Sequence, residues 1–158
     1  MRITHKVDYA VRTVAAIARA EADAPGVPVK SDHLAETEGV PASFLQDILR
    51  SLGNHGVLRS TRGPNGGWNL GRPAEQITVA EIIRGLEGPL ASVRGIRPHE
   101  LADHGDTEPF ISLWVAVRAA LRSVLDHVTV ADLAVGRLPP DITAVLDDPE
   151  VWETPPGE

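Results

Sequence analysis

Apolar residues recur every three to four positions along the first fifty residues, then every two, then every three to four again. Val7, Ala10, Val11, Val14, Ile17 and Ala18 mark one helix over residues 5–20. Pro25, Gly26 and Pro28 break it. Ser31 is a suitable N-cap for a short second helix that turns Leu34 and Ala35 inward, and Gly39 ends it at a position that favours left-handed backbone. Pro41 opens a third helix in its first turn, with Phe44, Leu45, Ile48, Leu49 and Leu52 as the apolar face and Gly53 and Gly56 at its end.

The period then drops to two. Val57, Leu58 and the Arg59–Arg62 segment read as one strand and Trp68–Leu70 as its partner. The tip Gly63-Pro64-Asn65-Gly66-Gly67 is a hairpin turn of more than two residues. Thr78 and Glu81 form a capping box for a helix over 78–87. "ITVAEII" (77–83) and "VTVADLA" (128–134) echo each other, the same capping chemistry used twice. Residues 88–109 are a polar loop rich in glycine, proline and charge. A long helix follows, in which Trp114, Val117, Leu121, Val124 and Val128 keep heptad spacing, with Phe110, Leu113 and Leu125 alongside. The stretch from Pro139 is acidic, proline-rich and expected to be loose.

The expected fold is mostly α with a small β-hairpin. Residues 1–87 form a winged helix-turn-helix domain and 88–109 a polar loop. Residues 110–138 hold a dimerisation helix and a short following helix, and 139–158 an acidic tail.

Charge sharpens this picture. The 158 residues carry a formal net charge of −7, but unevenly. Residues 1–75 hold 9 Lys/Arg against 8 Asp/Glu, and residues 76–158 hold 6 against 14. Between Gly39 and Ala74 four arginines (50, 59, 62, 72) face one acid, Asp47. The positive face is therefore local, and it includes the hairpin.

A hairpin after a helix-turn-helix explains those arginines. The third helix directs Ala42, Ser43, Gln46, Asp47 and Arg50 outward, from the end that enters a major groove. Arg50 reaches guanine or the backbone, while Ser43 and Gln46 suit base edges or phosphates. Arg59 and Arg62 on the wing neutralise phosphate or enter a narrow minor groove, Asn65 can donate and accept at the tip, and the glycines let the main chain come close to DNA. Trp68 is expected to pack the hairpin onto the helices. A solvated hairpin with structural arginines is the plainer account of the loop alone, but the preceding motif favours DNA.

Several classes are excluded. With no cysteine in the chain, disulfides, thiolate metal sites and cysteine nucleophiles are impossible. No P-loop or nucleophile elbow is present, so an enzyme is not expected. No signal peptide or membrane-spanning run is seen, which points to a cytoplasmic protein. A winged-helix scaffold for a protein partner is the alternative. Neutralising Arg59 and Arg62 would discriminate, since a protein interface elsewhere would survive it.

The stretches "VDYAVRTVAAIA" (7–18), "HLAETEGVPASFLQDILRSLGNHGVLRSTRGPNGGWNLGRPAEQITVAEIIRGLEGPL" (33–90) and "TVADL" (129–133) resemble the bacterial transcriptional regulators typified by IscR, NsrR and CymR, the Rrf-two family. The resemblance covers roughly residues 1–135. It implies a homodimeric repressor that reads an inverted repeat, with the long helix crossing to the partner. By motif match it places Ser43, Gln46 and Arg50 on the recognition helix and Arg59, Arg62 and Asn65 on the wing. The best-known members hold an iron–sulfur cluster through three cysteines after "EGPL". Here that loop reads "ASVRGIRPHELADHGDTEPF", so a thiolate-held cluster is impossible and no cofactor is expected. His99, His104 and a partner's Asp8 remain metal candidates, since Asp8 stands where some relatives place a carboxylate ligand. The H-x₄-H spacing is a weak signature, and a solvated loop with Asp8 paired to Arg12 is favoured. The sequence leaves the effector open between a small molecule or metal meeting the 88–109 loop and the long helix, and none at all.

Overall fold

Seven α-helices and one antiparallel hairpin account for most of the described chain. The computed structural model describes residues 2–153. Helix α1 (His5–Asp23) leads to α2 (Ser31–Glu38) and α3 (Ala42–Asn54). Strands β1 (Leu58–Thr61) and β2 (Gly67–Leu70) follow, then α4 (Val79–Glu87), α5 (Glu108–Leu125), α6 (Val130–Ala134) and α7 (Pro140–Leu146). Single 3-10 segments lie at Ala74–Gln76, Pro98–His104 and Pro149–Trp152.

The predicted helices are present, with shifted ends. The first runs to Asp23 because Glu21 is useful inside it: its carboxylate accepts the Leu70 backbone N–H at 2.9 Å, closing one edge of the hairpin. Lys30, not Ser31, occupies the N-cap of α2, and Ser31 is its first helical residue. Pro41 likewise stands at the N-cap of α3 rather than inside it. Gly39 ends α2 with φ +64°, as a left-handed cap requires. Gly53 does not end α3 but lies within it, because Trp68 uses the missing side chain: a Cβ at Gly53 would sit 3.1 Å from the Trp68 ring.

The core lies where these helices meet the hairpin. Ala10, Val14, Ile17, Leu34, Leu45, Ile48, Leu49, Leu52, Val57, Leu58, Ile77, Ile82 and Val130 are all buried in one cluster. The two capping boxes, Thr78–Glu81 and Thr129–Asp132, are both formed. They also pair with each other: Thr78 and Thr129 make an antiparallel bridge, with Val79 N donating to Val128 O at 3.0 Å and Val130 N to Ile77 O at 2.8 Å. The echoed sequences are therefore two halves of one joint that ties α6 to the base of α4.

Two regions differ from expectation. The 88–109 stretch is not simply a polar loop, since it buries Leu90, Pro98 and Leu101 and packs its 3-10 segment on α5. The region after Pro139 carries local structure up to Glu153. Pro140 starts α7 at a position where a missing N–H costs nothing, and Trp152 folds back to donate its indole N–H to Leu146 O at 2.9 Å.

Candidate nucleic-acid interface

The wing is held to the helix-turn-helix by backbone. Leu58 pairs with Leu70, Arg59 with Asn69, Ser60 with Trp68 and Thr61 with Gly67. Val29, just before α2, adds a third short rung: its N–H donates to Trp68 O at 2.9 Å and its carbonyl accepts from Trp68 N at 2.8 Å. Asn69 is buried and donates to Val27 O at 3.3 Å. The hairpin base is thus fixed on both sides, while Arg59, Arg62 and Asn65 stay exposed.

The wing glycines serve the protein's own backbone. A Cβ at Gly66 would meet Thr61 O at 2.2 Å, and one at Gly67 would meet Val29 O at 2.4 Å. Real side chains do not fit there, so these glycines are needed for hairpin closure whether or not DNA approaches.

On α3, Ser43, Asp47 and Arg50 are exposed, with Arg50 and Asp47 paired at 3.1 Å. Gln46 is placed differently from the outward position expected. It is half-buried, and its amide donates to Ser31 Oγ at 2.8 Å, tying α3 to the start of α2. Ser31 also lines a hollow of about 330 Å³ with Lys30, Asp32, Ser60, Thr61, Pro64 and Trp68. The start of α2, α3 and the wing therefore converge at Lys30–Ser31. Sequence reading missed Lys30, Ser60 and Thr61 as surface donors here. The available signal was one of only two lysines in the chain, placed at a helix start.

Two ion-pair groups lie behind this face. Arg72, two residues after β2, meets Glu81 at 2.9 Å. Asp126 accepts from Arg84 at 2.8 Å and Arg122 at 2.7 Å, linking α4 to the end of α5. Burial pushes both carboxyls up. The Thr78 backbone and Arg72 more than offset this for Glu81, and Arg122 and Arg84 do so for Asp126, so both titrate below their ordinary values.

The heptad residues divide into groups. Trp114 and Val117 are exposed, Leu121 and Val124 line a groove of about 670 Å³ between α1, α4 and α5, and Val128 lies past the end of α5, buried in the core. No residue of α5 is buried, and Phe110, Leu113, Val115 and Val124 are also exposed. No helix is long and apolar enough to cross a membrane among the described residues.

The metal candidates stand apart from a ligand set. Exposed Asp8 lies 3.8 Å from Arg12, which makes a closer contact with Glu38 at 3.1 Å. His99 lies 3.7 Å from Glu100, and Asp106 is taken by Arg94. Among the described residues, no three His, Asp or Glu side chains within one chain gather as a metal site.

Comparison with known proteins agrees with this architecture. A family profile described as an iron-dependent transcriptional regulator, Rrf2, matches residues 3–136. A Mycobacterium tuberculosis protein of the HTH-type transcriptional regulator class is 42% identical over 98% of this chain and 94% of its own length. CymR of Bacillus subtilis is 33% identical over 85% of this chain and 90% of its own. Its crystal structure, described as that of the global cysteine regulator, superposes with a TM-score of 0.67 at 30% identity, covering 85% of this chain and 97% of that one. The T. potens IscR structure gives 0.66 at 26% identity, covering 98% and 93%. The iron in the family description cannot be held here as a thiolate-bound cluster, because the chain has no cysteine; of the loop carboxylates, Asp106 is paired with Arg94.

Proposed function

The chain belongs to the Rrf2 family of transcriptional regulators, and on that premise we propose that it binds an inverted-repeat operator as a homodimer and represses transcription by occluding a promoter. Its relatives are HTH-type regulators and not enzymes. The convergence of α3, the start of α2 and the wing at Lys30–Ser31 carries the reading. Ser43 and Arg50 on α3 and Arg59, Arg62 and Asn65 on the wing are exposed side chains of those elements. Gln46 acts first as the tie that sets the angle of α3, with its carbonyl oxygen left for a base or water. Phosphate contacts from Lys30, Arg59 and Arg62 supply the sequence-independent part of affinity, and the exposed end of α3 supplies the specific part.

The exposed apolar face of α5 supports the homodimer. An eighteen-residue helix that buries none of its apolar side chains is half of an interface. Trp114 and Val117, flanked by Phe110 and Leu113, are its free part, while Leu121 and Val124 already face the groove on their own domain. The regulator acts without an iron–sulfur cluster, in the cytoplasm, and any effector would be a small molecule reaching the 88–109 segment.

Selection of duplexes from a fragmented genomic library, at two salt concentrations, tests this. Enrichment of a dyad-symmetric site that is lost with Arg59→Ala/Arg62→Ala is the expected result. Recovery of no site at low salt from an intact dimer would overturn unaided operator binding.

A further inference from the structure

Residues 138–153 lie beyond the family match, which ends at 136, yet they fold. Helix α7 and the 3-10 turn Pro149–Trp152 pack on each other. The Trp152 indole N–H caps Leu146 O, and Asp148 accepts from Glu150 N at 3.0 Å. None of this knob is buried in the core: Trp152 is 71% exposed, Val145 55% and Val151 48%. The same segment carries Asp141, Asp147, Asp148, Glu150 and Glu153, with no lysine or arginine from Leu138 to Glu153. None of these five carboxylates is in an ion pair among the described residues.

An exposed indole in a segment rich in unpaired carboxylates suits a guanidinium group. The aromatic face attracts the cation, and the acids neutralise it. The chain carries such groups on its own wing. Arg59 and Arg62 are exposed, and no carboxylate pairs with either among the described residues. Helix α6, from which the knob hangs, packs on the Ala74–Gln76 turn, which begins four residues past the end of β2.

We propose that the 138–153 knob docks Trp152 and its carboxylates onto an arginine wing of the same dimer and competes there with DNA. This rests on the reading of Arg59 and Arg62 as DNA contacts. A tethered competitor sees its target at a high effective concentration. A wing covered nine-tenths of the time would weaken duplex binding about tenfold, since apparent affinity scales with the competent fraction. The contact is electrostatic, so it loosens with salt, and only well-matched sites displace the knob when salt is low.

The test uses the full chain with its tryptophan indoles labelled for NMR, the Trp152 signal being assigned through Trp152→Phe. At low salt the Trp152 signal is expected to move on Arg59→Ala/Arg62→Ala, and to move likewise when a duplex of arbitrary sequence is added. Asp147→Asn/Asp148→Asn/Glu150→Gln together with Trp152→Ala should tighten duplex binding about tenfold at low salt. That gain should vanish when Arg59 and Arg62 are also replaced. A Trp152 signal indifferent to the wing arginines overturns docking. So does an unchanged duplex affinity, or an equal gain without the wing arginines, which would show general charge repulsion only. If no variant binds any duplex while Trp152 still answers to the arginines, docking stands and the DNA reading falls.

Discussion

The helix-turn-helix unit and α5 are both apolar, but one has spent its apolar surface and the other has not. Leu45, Ile48, Leu49 and Leu52 on α3 are fully enclosed by α1, α2, α4 and the hairpin. Over a longer run, α5 has no fully buried residue, although the Pro98–His104 segment packs on it. The first region is a finished core whose mutation acts on folding. The second is left exposed, and in the proposed dimer its mutation should act on association. A helix's own sequence does not show which kind it is, because both kinds have the same period.

The largest expected effect breaks the comparison on the finished side. Leu49→Ala should cost about 2–5 kcal/mol of folding stability, read by urea or thermal unfolding, because it opens a cavity among enclosed neighbours. A loss below 1 kcal/mol would mean that this core is not close-packed. On the unfinished side, Trp114→Ala should weaken the dimer by about 2 kcal/mol or more, near thirtyfold, as a central aromatic anchor does. Sedimentation should show monomer while α-helical circular dichroism persists. If Trp114→Ala leaves the dimer unchanged, the association face lies elsewhere on α5.

Smaller effects sharpen the division. Arg59→Ala/Arg62→Ala should leave the unfolding curve unchanged and make the log–log salt dependence of duplex binding shallower by about two. Thr78→Ala removes one side of the joint with Thr129 and should cost about 1 kcal/mol, measured against Thr129→Ala as its counterpart.

The least effect concerns pH. Glu81 and Asp126 have native values below their unfolded ones. Their pairs therefore stabilise fully above the unfolded carboxylate range, and that stability is lost as pH falls through the native values. Asp126→Asn should flatten the acid limb of a stability–pH curve, with the exposure of its arginine partners keeping the change small. An unaltered acid limb would show that the Arg84–Asp126–Arg122 group contributes nothing to the joint.

Much of the candidate site was legible in order of chain. The Gly39 cap, the Thr78–Glu81 box and the change of period at Val57 are local chemistry, set by neighbours within four residues, and each stands where the sequence places it. Gln46 was not legible in this way, because whether a half-exposed amide faces a base or Ser31 depends on a residue fifteen positions away. Lys30 was passed over for the same reason. Its importance comes from the Val29–Trp68 rung, which no short-range pattern announces.

The sequence by itself determined the helices up to α6 and the hairpin, the Gly39 cap and both capping boxes, the absence of thiolate chemistry and the local excess of arginine, because these depend on composition and near neighbours. Only the tertiary structure decided that the two echoed capping boxes pair, that Gly53 makes room for Trp68, that Val128 belongs to the core and Trp114 to the surface, and that the acidic tail folds around its tryptophan. Those outcomes depend on which distant segments share a volume. Packing in three dimensions fixes that, and periodicity along the chain does not.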